Sequence, residues 1–110
     1  MKVGIIRCQQ TEDLCPGTGD FAAVEKKSGA FETLGDCTIV GFVSCGGCPG
    51  SKAVARAQVL ADRGAEVIAL ASCISKGHPT TYPCPNRESM LKALQSRFKD
   101  KNVLVLDHTH

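Results

Sequence analysis

The residues with the most chemical potential are seven cysteines, two of which stand three positions apart in the segment CGGCPGSK, residues 45–52. The two glycines between Cys45 and Cys48 let the backbone turn tightly and approach a ligand. Pro49 suits the first position of a helix, and a thiol beside a helix N-terminus has a lowered pKa, which favours the thiolate that binds metals and attacks electrophiles. Thioredoxin-like enzymes, zinc sites and iron–sulfur sites all use C-x-x-C pairs. The positions of the other five cysteines are needed to choose among these three kinds of site.

Three of those cysteines and one histidine end segments of the same design. Each segment is an apolar run followed by one polar residue and then a side chain that can bind a metal. The four segments are VGIIRC (3–8), VGFVSC (40–45), IALASC (68–73) and VLVLDH (103–108). They place Cys8, Cys45, Cys73 and His108 just beyond the carboxyl ends of four predicted strands, which is the edge where open parallel sheets bind ligands.

The elements that must position these side chains follow from the apolar pattern. Four short runs are rich in Val and Ile and nearly continuous, which is typical of strands buried on both faces of a parallel sheet; they span 2–6, 37–43, 66–71 and 102–106. Helical periodicity covers 50–64 and 87–100, and a weaker segment, 20–35, begins at Asp20 as a candidate cap.

This alternation predicts a single α/β domain over residues 1–110. Parallel strands joined by right-handed crossovers place helices on both faces of the sheet, which gives three layers. We expect four strands in the order 2-1-3-4, as in a small flavodoxin-like or Rossmann-like sheet.

Six of the seven cysteines map to one edge of this predicted sheet. Cys48 lies beside Cys45, Cys15 falls in the loop after the first strand and Cys84 in the loop after the third, whereas Cys37 starts the second strand at the opposite edge. Neighbouring strands lie about 4.8 Å apart, and sulfurs bound to one zinc ion lie about 3.8 Å apart. The sequence therefore predicts a metal site with ligands Cys8, Cys45, Cys48 and Cys73. Cys15, Cys84 and His108 are candidates to complete it or to form a second site, and the roles of His78 and His110 stay open.

Composition narrows the partners and the compartment. The net charge is only +2, and no basic stripe exists to neutralise phosphates, so nucleic acid is not expected as a partner. No apolar stretch approaches the roughly 20 residues of a membrane span, and Arg7 ends the first apolar run too early for a signal peptide. We expect a cytoplasmic protein, and cysteine clusters in that reducing compartment bind metals or do chemistry more often than they form disulfides.

Several separated motifs resemble the CGGC-domain family, in order and over essentially the whole chain. They are RCQQTEDLCPGTGDF (7–21), IVGFVSCGGCPGSKAVARA (39–57), IALASCISKGHP (68–79) and CPN (84–86). The resemblance implies a small prokaryotic protein of the cytosol, with a zinc-binding role suggested by its cysteines and histidines and with no established reaction. Every cysteine except Cys37 matches a family position. Relatives often have a histidine where Asn86 stands, so Asn86 is interpreted as a helix cap.

Three functions remain open at this stage. Thiolate-rich sites select zinc, Cu(I) or iron–sulfur clusters, and zinc is the default for Cys/His sites in the cytosol, so a zinc-binding protein of unknown reaction leads. The alternative is a thiol enzyme of redox, persulfide or disulfide exchange, with Cys45 as nucleophile and Cys48 or Cys8 resolving the product. An iron–sulfur protein is the third. The sequence identifies no substrate and no protein partner.

Overall fold

The computed structural model describes residues 1–77 and 82–110, and a sheet of four strands forms its centre. The strands are β1 (Lys2–Arg7), β2 (Thr38–Ser44), β3 (Val67–Leu70) and β4 (Leu104–Leu106). Their spatial order is β2-β1-β3-β4, and every neighbouring pair is parallel. The predicted parallel sheet and its 2-1-3-4 order are therefore confirmed.

Helices occupy the connections between the strands. They are α1 (Thr18–Glu25), α2 (Ala53–Asp62), α3 (Ser72–Ser75) and α4 (Arg87–Arg97), with a short 3-10 turn at Gly29–Phe31. Helix α2 packs on β1, β2 and β3 and against α4, whereas α1 packs on β2, which agrees with the predicted three-layer α/β fold. Across the described residues, no helix combines the length and the apolar character that a membrane crossing requires.

The two central strands explain the continuous apolar runs in the sequence. Every residue of β3 is at most 1% exposed, and Val3, Ile5 and Ile6 of β1 are fully buried, because both strands are covered on both faces. Strand β2 lies at the edge of the sheet, and all its residues are at least partly exposed. The carboxyl ends of β1 and β3 therefore meet in the middle of the molecule.

The segment that carries the CGGC motif differs from the prediction. Helix α2 begins at Ala53 rather than at Pro49, which lies in a turn. Gly50 has a φ of +89°, a left-handed conformation that ends any helical path from Pro49 to Ala53. Helix α3 was not predicted, and it places Cys73 inside a helical turn rather than at a strand tip.

Of the two predicted polar caps, Asp20 is wrong, whereas Asn86 does occupy the cap position of its helix. Asp20 is the third residue of α1 rather than its cap; Gly17 occupies the cap position, and the Asp20 side chain is only 2% exposed. Asn86 does precede α4, but its side chain makes no capping hydrogen bond.

Candidate functional site

Cys8 and Cys45 follow the carboxyl ends of two neighbouring strands, β1 and β2. Arg7, the last residue of β1, pairs with Ser44, the last residue of β2, so Cys8 and Cys45 follow two strands that end side by side. The Cys45 N–H continues the ladder by donating to the Arg7 carbonyl at 2.8 Å. Local strand pairing, and not only topology, therefore fixes the two thiols near one another.

Cys73 reaches the same edge from the other neighbour of β1. Ile6 pairs with Leu70, and the short helix α3 then carries Cys73 back over the end of β1. The Cys8 backbone N–H donates a hydrogen bond to the Cys73 Sγ at 3.2 Å. Cys73 is 5% exposed, whereas Cys8 is half-buried. The structure thus brings together two cysteines that lie 65 positions apart in the sequence.

Four thiols share one cavity of about 300 Å³, which we call the thiol cavity. Its cysteines are Cys8, Cys48, Cys73 and Cys84. The other described residues of its wall are all uncharged: Gln10, Thr11, Leu14, Tyr82, Pro83 and Pro85. Within the part of the chain that the structure describes, no lysine, arginine or carboxylate lines this cavity. Behind the wall, the buried Arg7 guanidinium donates to the Cys8 carbonyl at 3.1 Å and to the Thr11 hydroxyl at 3.4 Å.

Burial raises the pKa of two of these thiols. Burial raises the pKa of the Cys73 thiol above its usual 9.0, although hydrogen bonds from the Cys8 N–H and the Thr11 hydroxyl oppose the shift, and negative charge at Asp20 and Cys8 adds to it. Burial also raises the pKa of Cys84, against a hydrogen bond from the Asn86 N–H at 3.4 Å.

The charges that act on Cys84 show which other cysteines lie near it. Thiolates at Cys48, Cys8 and Cys45 each raise the Cys84 pKa further. Cys45 therefore lies within electrostatic reach of the cavity although it is not part of the wall. Four of the six cysteines predicted for this edge therefore line one cavity, and Cys45 lies close behind it.

The CGGC loop sends its two thiols to different places. The Ser44 hydroxyl accepts hydrogen bonds from the Gly46 N–H at 3.2 Å and from the Arg56 Nη1 at 2.9 Å, which anchors the start of the loop to α2. Beyond that anchor the chain turns, so that Cys45 packs in the core at 5% exposure while Cys48 is exposed at the cavity. The sequence predicted that a thiol of this loop would lie at a helix N-terminus, and that prediction is wrong. Helix α2 begins only at Ala53, and a helix dipole acts only within the first turn.

A second cavity, of about 230 Å³, lies on the other side of Cys73. Cys15, Asp20 and His110 line it together with Cys73, so Cys73 borders both cavities. The Asp20 carboxylate accepts a hydrogen bond from the Thr109 hydroxyl at 2.5 Å, and the His110 Nε2 lies 3.7 Å from the same oxygen. Cys15 is thus placed away from the thiol cavity, next to a buried acid.

Sequence reasoning missed the polar network behind this second cavity. Ser72 and Thr109 are fully buried, and Asp20 nearly so. The Ser72 N–H donates to the Thr109 hydroxyl at 3.1 Å, and the Ser72 hydroxyl donates to the His110 carbonyl at 2.9 Å. Because Ser72 is the first residue of α3, this network holds the helical turn that carries Cys73. A serine directly after a continuous apolar strand was the available signal.

The histidines are placed differently from one another. The His108 Nδ1 lies 2.6 Å from the Asp107 Oδ1, and His108 borders neither cavity. It follows β4, the edge strand that pairs with β3 alone. The sequence interpretation of His110 was open, and the structure places it beside Asp20. His78 lies outside the described residues.

Cys37 lies where it was predicted, directly before β2 and thus at the opposite end of that strand from Cys45. It is half-buried and follows Asp36, which pairs with Lys27 on the surface. Cys37 therefore serves as a control for the cysteines of the thiol cavity.

The donor types fit a soft or borderline metal ion, but the side chains are not yet arranged around one. In residues 1–77 and 82–110, no group of three His, Cys, Asp or Glu side chains is positioned to hold a metal ion together. Two of the cysteines are joined instead by the hydrogen bond from the Cys8 N–H to the Cys73 Sγ. Coordination would require side-chain rotation within the thiol cavity.

Fold and site together define an α/β protein with a cysteine-lined cavity at the carboxyl edge of a parallel sheet. The chain belongs to the CGGC-domain family, whose model matches residues 2–110. It is also 44% identical over 79 residues to an uncharacterized protein of Methanocaldococcus jannaschii, a match that covers 66% of this chain and 62% of the relative. The chain thus spans less than two thirds of that relative's length. No solved structure matches. Family membership and seven cysteines are consistent with metal binding.

Proposed function

We propose that this protein binds a metal ion of soft or borderline character, zinc in the first place, through Cys8, Cys48, Cys73 and Cys84. The observation that carries the proposal is the thiol cavity itself: four thiols around one volume, with an uncharged wall in the described residues. The ligand set expected from sequence contained Cys45 in place of Cys84. We exchange them because Cys84 lines the thiol cavity and Cys45 does not.

Charge balance favours a cation over a reactive thiolate. A nucleophilic cysteine is activated by a neighbouring cation or a helix N-terminus, which lowers its pKa. Burial instead raises the pKa of Cys73 and Cys84, and α2 starts five residues beyond Cys48. A bound divalent ion would supply the missing positive charge and replace the thiol protons. The thiol-enzyme alternative needs an activated Cys45 or Cys48, and neither lies in the first turn of α2.

The surrounding structure provides the rigidity that such a site needs. Cys8 follows a fully paired central strand, and Cys73 sits on a helical turn held by the buried network of Ser72 and Thr109. Cys48 and Cys84 lie on loops, so they are the side chains best able to move toward an ion held by the other two. We therefore assign Cys8 and Cys73 as the fixed half of the site and Cys48 and Cys84 as the closing half.

The experiment is an anaerobic zinc titration against a competing chelator, with elemental analysis of iron, copper, zinc and sulfide in the protein as purified. We expect one zinc ion per chain. Cys73→Ser and Cys84→Ser should weaken binding by more than the roughly 10- to 100-fold loss that outer-shell substitutions cause. Cys37→Ser is the matched control and should bind as the unmodified chain does. No zinc uptake would overturn the proposal, and iron with equimolar sulfide would favour the iron–sulfur alternative.

A further inference from the structure

We propose that Cys8 and Cys73, rather than the Cys45–Cys48 pair of the motif, are the thiols of this chain that small disulfides oxidise to an internal disulfide. The site of oxidation would then join the ends of two strands that are distant in sequence. The inference concerns the same cavity as the proposed function, but the pairing of the two sulfurs does not require a metal.

The contact between Cys8 and Cys73 carries this inference. The Cys73 Sγ lies 3.2 Å from the Cys8 nitrogen, and an N–Cα bond is about 1.46 Å long, so this sulfur lies no more than about 4.7 Å from the Cys8 Cα. Such a separation lets rotation about the Cys8 side chain bring the two sulfurs to bonding distance without moving the strands. The paired register of Ile6 with Leu70 keeps the two backbones at this spacing.

The motif cysteines lack an equivalent arrangement. Cys45 is packed among the apolar side chains of the core and is 5% exposed, whereas Cys48 is exposed and lines the thiol cavity. The glycines between them, Gly46 and Gly47, have φ values of +84° and +96°, and the turn they form separates the two thiols between core and cavity. Because Cys48 lines the thiol cavity and Cys45 does not, a small disulfide that enters the cavity meets Cys8, Cys73 and Cys48 there but not Cys45.

The chemistry balances with a low-molecular-weight disulfide, RSSR, as the oxidant. The half-buried Cys8 attacks one sulfur of RSSR, forms a mixed disulfide and releases one RSH. The Cys73 sulfur then attacks the Cys8 sulfur, and its proton passes through solvent to the departing RS⁻, which leaves as the second RSH. Two protein thiols are oxidised and one small disulfide is reduced to two thiols. The product removes two of the four ligands proposed above, so oxidation would also release the metal.

Peptide mapping tests the pairing on metal-free protein treated with oxidised glutathione and then alkylated. Trypsin leaves Cys73 in the peptide 64–76, the two motif cysteines together with Cys37 in 28–52, and Cys8 with Cys15 in 8–26. Further cleavage before Asp13 separates Cys8 from Cys15. We expect the peptide of Cys8 to be linked to that of Cys73 under non-reducing conditions. The link should be lost in Cys8→Ser and in Cys73→Ser, and retained in Cys15→Ser and Cys37→Ser.

Other pairings would overturn the inference. An internal disulfide within 28–52, scrambled links, or thiols that remain alkylatable after glutathione treatment would each do so. Cys8→Ser guards the test against a folding defect in Cys73→Ser, because Cys8 is half-buried and the change keeps its size. Zinc release on oxidation is measured separately on loaded protein. A correct disulfide in a chain that binds no zinc would refute the proposed function alone, and zinc retained in the oxidised protein would refute the coupling to release.

Discussion

Replacement of Thr109 by valine tests the buried network that holds the turn of Cys73. The change keeps the shape of the side chain but removes the hydroxyl that donates to the Asp20 carboxylate at 2.5 Å and accepts from the Ser72 N–H at 3.1 Å. A hydrogen bond to a charged group contributes about 1.5–3 kcal/mol, and leaving a buried donor unpaired costs about 1–3 kcal/mol. His110, 3.7 Å from the same Asp20 oxygen, would retain part of the charge compensation.

The expected loss is therefore about 3 kcal/mol of unfolding free energy, a large share of the roughly 5–15 kcal/mol that stabilises a domain. Urea unfolding of the metal-free chain measures it, and with an m-value of about 1.5 kcal/mol/M the midpoint should fall by roughly 2 M. Thr38→Val is the matched control, since Thr38 begins β2 and is exposed; it should change stability by less than about 0.5 kcal/mol. Equal effects of the two substitutions would refute the role given to the network.

Three further predictions concern the thiols and the loop. Burial raises the folded-state pKa of Cys73 above its usual 9.0, so its contribution to stability is complete below that pH and is lost as the pH rises through the folded value. The midpoint of urea unfolding should therefore decline less at alkaline pH in Cys73→Ser than in the unmodified chain. An identical decline in both chains would contradict a buried thiol at Cys73. Zinc affinity, measured by chelator competition, should increase from pH 6 to pH 8, since binding displaces protons from these thiols; a flat profile would argue against thiolate ligands. Arg56→Met removes the donor to the Ser44 hydroxyl at 2.9 Å and should lower the free energy of unfolding, measured with urea, by about 1–2 kcal/mol. Arg63→Met, at the exposed end of the same helix, is the control and should lower it little.

Most of the fold could be predicted from the regular pattern of apolar residues in the sequence. Continuous Val and Ile runs identify β1 and β3 because both strands are buried on both faces, and that burial is a property of the residues themselves. The positions of Cys8 and Cys45 directly after their strands follow from the same runs. A parallel sheet then leaves little choice about which edge these cysteines share.

Local backbone geometry was harder to predict. Pro49 is acceptable at the start of a helix, but the left-handed Gly50 delays α2 to Ala53, and nothing in composition distinguishes that glycine from one that fits a helix. The replacement of Cys45 by Cys84 at the cavity depends on how the CGGC turn is folded, which the spacing of its cysteines does not encode.

Polar contacts between residues far apart in the chain could not be predicted from the sequence. Asp20 fits the pattern of a helix cap, and only the arrival of Thr109, 89 positions further along the chain, makes it a buried acceptor. The same holds for His110, which lies beside Asp20, while His108, at the predicted strand tip, pairs with Asp107. Such contacts are set by tertiary packing and have no periodic signature.

Zinc K-edge X-ray absorption of the anaerobically loaded protein tests the central claim most directly, because it counts the atoms bound to the metal. The account predicts four sulfur neighbours at about 2.3 Å, reduced to three in Cys84→Ser and unchanged in Cys37→Ser. A shell dominated by nitrogen or oxygen, or a full sulfur shell that persists when Cys84 is replaced, would contradict the assignment of the thiol cavity as the metal site.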